Sequence, residues 1–419
     1  MIDRNLYVWI YLPVAEKPVP CGILSLLPGN RKASFRYLTE YVNNPGAFAL
    51  SPDLPLREIE FMPPQEDALH PVFDDAGPDK WGRRVIDREE NPSRRSEIDY
   101  LWYSGEDRVG ALAFSSSAER YEPHSMSNAF HTDQLSDLLE AARCLELNLP
   151  LDDKFRRLLK QGTSLGGMRP KTILEHNGQA WIAKFPSIED TFDVCAMEHA
   201  SLELARKCGI IAPESRLVSV GKMRVLLVER FDRVPGGRIP YLSARSMMIA
   251  EGYKKDEFSY SALAEITRRY SREPKQDCLQ LFRRMVFNIL LDNTDDHEKN
   301  HGFLYDGSSW NLAPAFDVSP QLQGLGYQQM NAGRDGMTSS MGNALSECEI
   351  FGLSKMEACR ECEVILEKMR LWQEIFAHAG VSQEDIEKAS RFVLREGIRA
   401  LPKEEPSRKK PRASFPIRP

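Results

Sequence analysis

The chain has 419 residues, 42% hydrophobic and 28% charged, and its 55 Lys+Arg against 61 Asp+Glu give a net charge of -6. This composition excludes a wholly disordered chain, a collagen and a small disulfide scaffold, and it supplies no global attraction to nucleic acid or an anionic membrane. At roughly 150 residues per domain, two or three domains are expected. No apolar run reaches the roughly 18 residues of a membrane span. Met1-Ile2-Asp3-Arg4 lacks the basic-then-apolar order of a secretory signal. The eight cysteines are scattered and read as reduced, mostly buried thiols, so a cytoplasmic protein is expected.

In chain order, the first 120 residues are expected to be strand-rich. Leu6 to Leu12 and Gly22 to Leu27 are β-type runs, with Pro28-Gly29-Asn30 as a turn and Phe35-Arg36-Tyr37 opening a further strand or loop. Pro78 marks a helix start, Arg108 to Phe114 is another apolar run, and Ser115 to Ser127 reads as a linker. A helix is expected over Leu135 to Leu147, with Thr132 as its cap. Lys171 to Leu174 and Ala180 to Phe185 read as strands joined by an Asn177-Gly178 hairpin turn. The spacing predicts a helix over Asp193 to Cys208, stopped by Gly209, and a strand over Arg224 to Val228. After Leu242, helices are expected over Ser261 to Tyr270, Gln276 to Leu291, Ser354 to Ala379 and Ser382 to Arg399. Pro402 to Pro419 is basic and proline-containing and reads as a solvated tail.

The stretch richest in chemistry is Asn293-Thr294-Asp295-Asp296-His297-Glu298-Lys299-Asn300, followed by Ala313 to Pro320. Phosphoryl transfer needs an Asp beside the accepting hydroxyl and hard oxygen ligands for Mg²⁺. Asp295 precedes Asn300 by five residues, the kinase catalytic-loop spacing, and Asp317 follows a strand, turn and strand. A kinase also needs a lysine for the α/β-phosphates and a helix glutamate to orient it. Lys184 ends a strand run. Glu198 lies among Val194, Ser201, Leu202 and Ala205 on a largely apolar helix stripe, where a carboxylate needs a cation, and Lys184 is its expected partner. Gly162, Gly166 and Gly167 surround Ser164 in a loop whose backbone N–H groups could approach phosphate, a weak signal by itself. Glu229 and Phe231 end the last strand of that lobe, where an adenine edge would be met.

These motifs resemble the HipA family of bacterial serine/threonine kinases, the toxins of toxin–antitoxin pairs. The resemblance rests on Ser164 to Lys171, Ile182 to Pro186, Glu198, Val228 to Arg233, Asp295 to Asn300 and Asp317, with Pro78 to Arg84 and Val109-Gly110-Ala111 nearer the N-terminus. It implies an α+β, two-lobed protein-kinase-like fold. The expected divisions are an accessory domain at 1–120, a kinase N-lobe at 121–240, a helical C-lobe at 241–401 and a disordered tail at 402–419. It also implies ATP and Mg²⁺ as cofactors, a protein substrate such as an aminoacyl-tRNA synthetase, and a HipB-like DNA-binding antitoxin as partner. Carried over by position, Asp295 is the catalytic residue, Asn300 and Asp317 hold metal, and Lys184, Glu198, Glu229, Phe231, Ser164, Gly166 and Gly167 form the ATP site, with Ser164 the autophosphorylated serine. Asp296 stands where glycine is frequent in the family and is expected to bring a like charge toward the metal.

Two other readings compete: a catalytically silent scaffold that binds nucleotide and a DNA-binding regulator, and a small-molecule phosphotransferase. The latter usually carries His two residues before the Asp, where this chain has Asn293. Cys359-Arg360-Glu361-Cys362 reads as core rather than zinc site, because Met356, Cys359, Cys362, Leu366, Met369 and Phe376 share one helical face. His70, His124 and His131 fall in polar loops without an evident partner.

Overall fold

The computed structural model describes residues 4–13, 15–125, 130–150 and 169–399. Strands β1 (Asn5–Ile10), β2 (Val19–Leu26), β3 (Ala33–Tyr37) and β4 (Leu112–Ser115) form an antiparallel sheet in the order β3-β2-β1-β4. Leu6, Val8 and Ile10 alternate into its core. The β1–β2 register slips between Val8 and Trp9, where Pro20 faces Trp9 and cannot donate to the ladder. Gly22 is required by packing, since a Cβ there would fall 2.3 Å from the Phe35 ring. Short helices α1 (Thr39–Val42), α2 (Pro71–Asp75), α3 (Lys80–Glu89) and α4 (Glu97–Tyr103) accompany this sheet. Asp79 caps α3 by accepting from Gly82 N at 2.8 Å.

Helix α5 (Leu135–Glu146) packs Leu135 and Leu138 with Phe130 against the second sheet, together with Leu174, Trp181, Ala183 and Leu227. That sheet runs β5-β6-β8-β7, with β5 (Lys171–His176), β6 (Gln179–Lys184), β7 (Ser215–Val220) and β8 (Met223–Glu229). Asn177 and Gly178 both have positive φ, 54° and 74°, as a two-residue hairpin turn requires. Helix α6 (Val194–Lys207) starts at the Asp193 cap and stops before Gly209 at φ 76°. A ribbon of β9 (Arg233–Val234) and β10 (Gly237–Arg238) leads into the helical lobe.

There, α9 (Pro274–Leu291) is buried on all sides from Arg284 to Leu291, so it forms the lobe's axis. Around it lie α7 (Ala244–Ala250), α8 (Tyr260–Tyr270), α10 (Met341–Leu345), α11 (Lys355–Met369), α12 (Trp372–His378), α13 (Gln383–Ala389) and α14 (Glu396–Arg399). The three-stranded sheet β11-β12-β13 joins Tyr241–Ser243, Gly302–Tyr305 and Trp310–Leu312. The segment after α1 packs against it, with the Phe48 and Tyr305 rings stacked at 4.4 Å.

Several expectations need correction. The single helix over Ser354 to Ala379 is two helices broken at Arg370-Leu371. Met369, Trp372 and Phe376 keep i, i+3, i+7 spacing across the break, so apolar periodicity does not register it. The helix over Ser382 to Arg399 stops at Ala389, because Leu394 takes φ 57° and donates its N–H to Leu290 O at 2.9 Å, a tertiary bond in place of a helical one. Strands β7 and β11 were not anticipated; β7 is a polar edge strand without a strong apolar run. Met356 is 63% exposed, off the core face assigned to it. Seven of the eight cysteines are buried, Cys359 is partly buried, and all are free thiols. Among the described residues no cluster of three metal-ligating side chains occurs, and no helix is long and apolar enough to cross a membrane.

Candidate active site

The site begins with a strand register. Lys171 of β5 faces Lys184 of β6, so two lysines stand side by side at the mouth of the second sheet. Two like charges there require carboxylates. Lys184 Nζ lies 2.6 Å from Glu198 Oε1 on α6 and also bonds Asp317. Lys171 Nζ lies 3.4 Å from Asp79 Oδ2, the cap of α3 in the accessory region. Burial alone would lower the Lys184 pKa, but Asp317 and Glu198 outweigh it and hold the ammonium above the ordinary lysine range. Asp317 itself is pulled below the carboxylate range, burial opposing and Lys184 and Lys171 winning. It sits at φ 52°, a left-handed conformation uncommon for a residue with a side chain.

The second part is the loop that follows α9. Asp292 ends that helix at φ 63°, and its buried carboxylate accepts from Gly324 N and Arg395 Nη2, both at 3.1 Å. It thereby ties the loop to the chain beyond Asp317. Asp295 is exposed. Partial desolvation of the carboxyl nonetheless raises its pKa, with His297 opposing and Asp317 and Asp296 reinforcing the rise. Asn300 Nδ2 donates to Asp295 O at 2.9 Å, which fixes the amide and commits its Oδ1 to the role of free acceptor. Asp296 does not crowd a metal position: it is 1% exposed, accepts from Tyr260 Oη, and lies 2.9 Å from His301 Nε2.

At the end of β8, Glu229 N donates to Glu214 O at 2.9 Å and Arg230 N to Ala180 O at 3.0 Å, after which the chain leaves the sheet. The Phe231 ring lies 5.5 Å from Phe316 and 6.5 Å from Tyr241, bringing this strand end beside Asp317. The structure therefore gathers Lys184, Glu198 and Asp317 directly, joins Asp295 to Asn300, and sets Phe231 against the residue preceding Asp317. Ser164, Gly166 and Gly167 lie outside the described residues.

Sequence reasoning missed the accessory contacts. In the Val228 to Arg233 motif, Arg230, Asp232 and Arg233 do not point to a ligand. Asp232 accepts from Gly110 N at 2.7 Å, and Arg230 Nη2 and Arg233 Nη2 donate to Arg108 O at 2.8 and 2.7 Å. Lys299 Nζ meets Asp74 at 2.9 Å, and Asp75 accepts from Ser243 N and Oγ, both at 2.7 Å. The signal available was the pairing of this charged motif with Val109-Gly110. Two histidines also have partners: His70 is 3.1 Å from Asp53, and His124 is 3.5 Å from Glu90.

The family model of the HipA-like C-terminal domain matches residues 163–379, and that of the HipA N-terminal domain matches residues 12–115. The chain belongs to the HipA family. A relative named "Putative kinase Y4dM" from Sinorhizobium fredii is 28% identical over 292 residues, covering 65% of this chain and 67% of that protein. The "Serine/threonine-protein kinase toxin HipA" of Shewanella oneidensis is 25% identical over 191 residues, 38% of this chain and 43% of that one. A Shewanella oneidensis HipA structure, solved with HipB and operator DNA, superposes with a TM-score of 0.66 at 17% identity, over 92% of this chain and 94% of that one. That last likeness is one of fold. This HipA-family chain is α+β, with the two-lobed kinase-like architecture and an accessory N-terminal domain.

Proposed function

We propose that the chain is an ATP- and Mg²⁺-dependent serine/threonine protein kinase that arrests growth as the toxin of a toxin–antitoxin pair. The observation that carries this reading is the meeting of Lys184, Glu198 and Asp317, from three separate elements, beside a loop in which Asn300 is tied to Asp295. Kinase chemistry is mostly positioning and electrostatics, and this set supplies both. Lys184, oriented by Glu198, engages the α/β-phosphates. Glu229 and Phe231 flank the adenine, and the loop of Ser164, Gly166 and Gly167 covers the phosphates. The donor set fits magnesium, because Asn300 Oδ1 and the Asp317 carboxylate are hard oxygens. When bound, the ion neutralises charge on the phosphate oxygens. Asp295, exposed and without an ion pair among the described residues, orients the acceptor hydroxyl and takes its proton.

The accessory domain and the fold shared with a HipA solved alongside HipB and operator DNA favour a HipB-like DNA-binding antitoxin as partner. The substrate is a protein hydroxyl, with an aminoacyl-tRNA synthetase as the first candidate and Ser164 as the self-limiting autophosphorylation site. The test incubates wild type and Asp295→Ala with γ-labelled ATP and Mg²⁺ and follows phosphate by mass spectrometry. Wild type should label a serine, Ser164 included, and Asp295→Ala should bind ATP without transfer. Labelling by Asp295→Ala would overturn the assignment.

A further inference from the structure

We propose that Asp296 is a positioning residue, whose buried carboxylate fixes the direction in which its neighbour Asp295 points. This rests on the phosphoryl-transfer reading. Adjacent residues of one loop have opposite fates: Asp295 faces solvent, and Asp296 is 1% exposed. A buried carboxylate is tolerated only when its oxygens are bonded. Here Tyr260 Oη of α8 donates to Oδ2, and His301 Nε2 lies 2.9 Å from Oδ1. Tyr260 is itself braced from α9 by Asn288 Nδ2 at 3.3 Å, and Asn293 Nδ2 reaches Asn288 Oδ1 at 3.2 Å. The loop is thus anchored to both helices beneath it.

Packing alone does not fix the loop. Behind the loop lies a small cavity whose lining is half apolar, with Phe287 and Val318, and half polar, with Arg284, Asn293, Asp296 and His301. Several polar atoms there, including Arg284 Nε, Asn293 Oδ1 and His301 Nδ1, have no protein partner among the described residues. With incompletely filled space behind it, the loop takes its height and tilt in good part from the Asp296 bonds. Asp295 and Asn300 share a backbone-to-side-chain bond, so a tilt at 296 moves both. A displacement of about 1 Å at a reacting group costs on the order of 100-fold in rate.

The experiment compares wild type with Asp296→Ala, Asp296→Asn and Tyr260→Phe by steady-state phosphorylation and by hydrogen exchange without nucleotide. Asp296→Ala should lose about 100-fold in kcat with a much smaller change in KM for ATP, since of the proposed ATP and metal contacts only Asn300 shares this loop. Asp296→Asn keeps an acceptor oxygen and should recover part of the loss. Amides 293–300 should exchange faster in Asp296→Ala while those of 285–290 hold. Should the alanine variant not fold, Tyr260→Phe removes one bond at nearly constant size and is read the same way. Unchanged kcat in Asp296→Ala with an active wild type, or exchange that rises equally in 285–290, overturns the proposal. If wild type transfers no phosphate, the kinase reading fails. The exchange of 293–300 then decides the positioning role by itself, and unchanged exchange overturns it.

Discussion

Replacing Lys184 by methionine removes one cation that serves two carboxylates. The Lys184 and Glu198 side chains are 13% and 8% exposed, so the Glu198 charge left behind has little water to turn to. Removing one partner of such a buried pair costs about 3–5 kcal/mol. Asp317, 38% exposed, can rehydrate and adds little to that. At roughly 2–4 °C per kcal/mol for a unit of 150–250 residues, Lys184→Met should lower Tm by about 6–20 °C. Adding Glu198→Gln exchanges the stranded carboxylate for a neutral amide of the same shape and should restore most of the loss. The assay is thermal unfolding of wild type, both single variants and the double variant at pH 7 without nucleotide. A coupling of at least about 1.5 kcal/mol is expected. If the two single effects sum to the double within about 0.5 kcal/mol, the pair is not a coupled unit and the reasoning fails.

Two further outcomes follow from the same geometry. ATP with Mg²⁺ should raise the Tm of wild type, and the shift should vanish in Asp317→Ala or with EDTA, as a scanning-fluorimetry titration can check. Asp232 is held well below the carboxylate range, since Arg230 and Arg233 outweigh the opposing effect of burial. A depressed folded pKa contributes stability that is present above the ordinary Asp value, about 3.9, and is lost as pH falls through the folded value. Wild type should therefore lose Tm steeply below about pH 4, and Asp232→Asn, destabilised by about 3–5 kcal/mol at pH 7, should show a flatter fall, measured by thermal melts across pH.

What the sequence made legible was whatever a short spacing encodes. Asp295 and Asn300 are five apart on one loop, and Glu198 announced its need of a cation by lying on an apolar helix stripe. Lys184 could be matched to it because a strand end and the next helix are close in the chain. The accessory contacts were illegible for the converse reason. Asp79 and Lys171, or Asp74 and Lys299, are separated by 92 and 225 residues, and nothing in either local pattern names the other. Asp296 was expected to bring a like charge toward the metal because a charged residue stood beside Asp295 where the family often has glycine. Only the fold shows Tyr260 and His301 waiting on the buried side. The break at Arg370-Leu371 was missed because a kink that preserves the apolar face leaves no trace in periodicity, and the helix end at Ala389 because the bond from Leu394 N to Leu290 O is tertiary.

The accessory domain touches three mechanically distinct parts of the two-lobed fold. Asp79 meets Lys171 on the upper sheet, residues 108 and 110 grip Arg230, Asp232 and Arg233 where the lobes join, and Asp74 and Asp75 hold Lys299 and Ser243 below. A body bolted to both leaves of a hinge and to its pin sets how far the leaves can swing. Opening the cleft then requires one of these attachments to yield or the accessory domain to travel with a lobe. Torque applied to its outer sheet is delivered to Lys171 and to the loop carrying Asp295 at once. The width of the cleft is therefore restrained from a domain that lies outside both lobes.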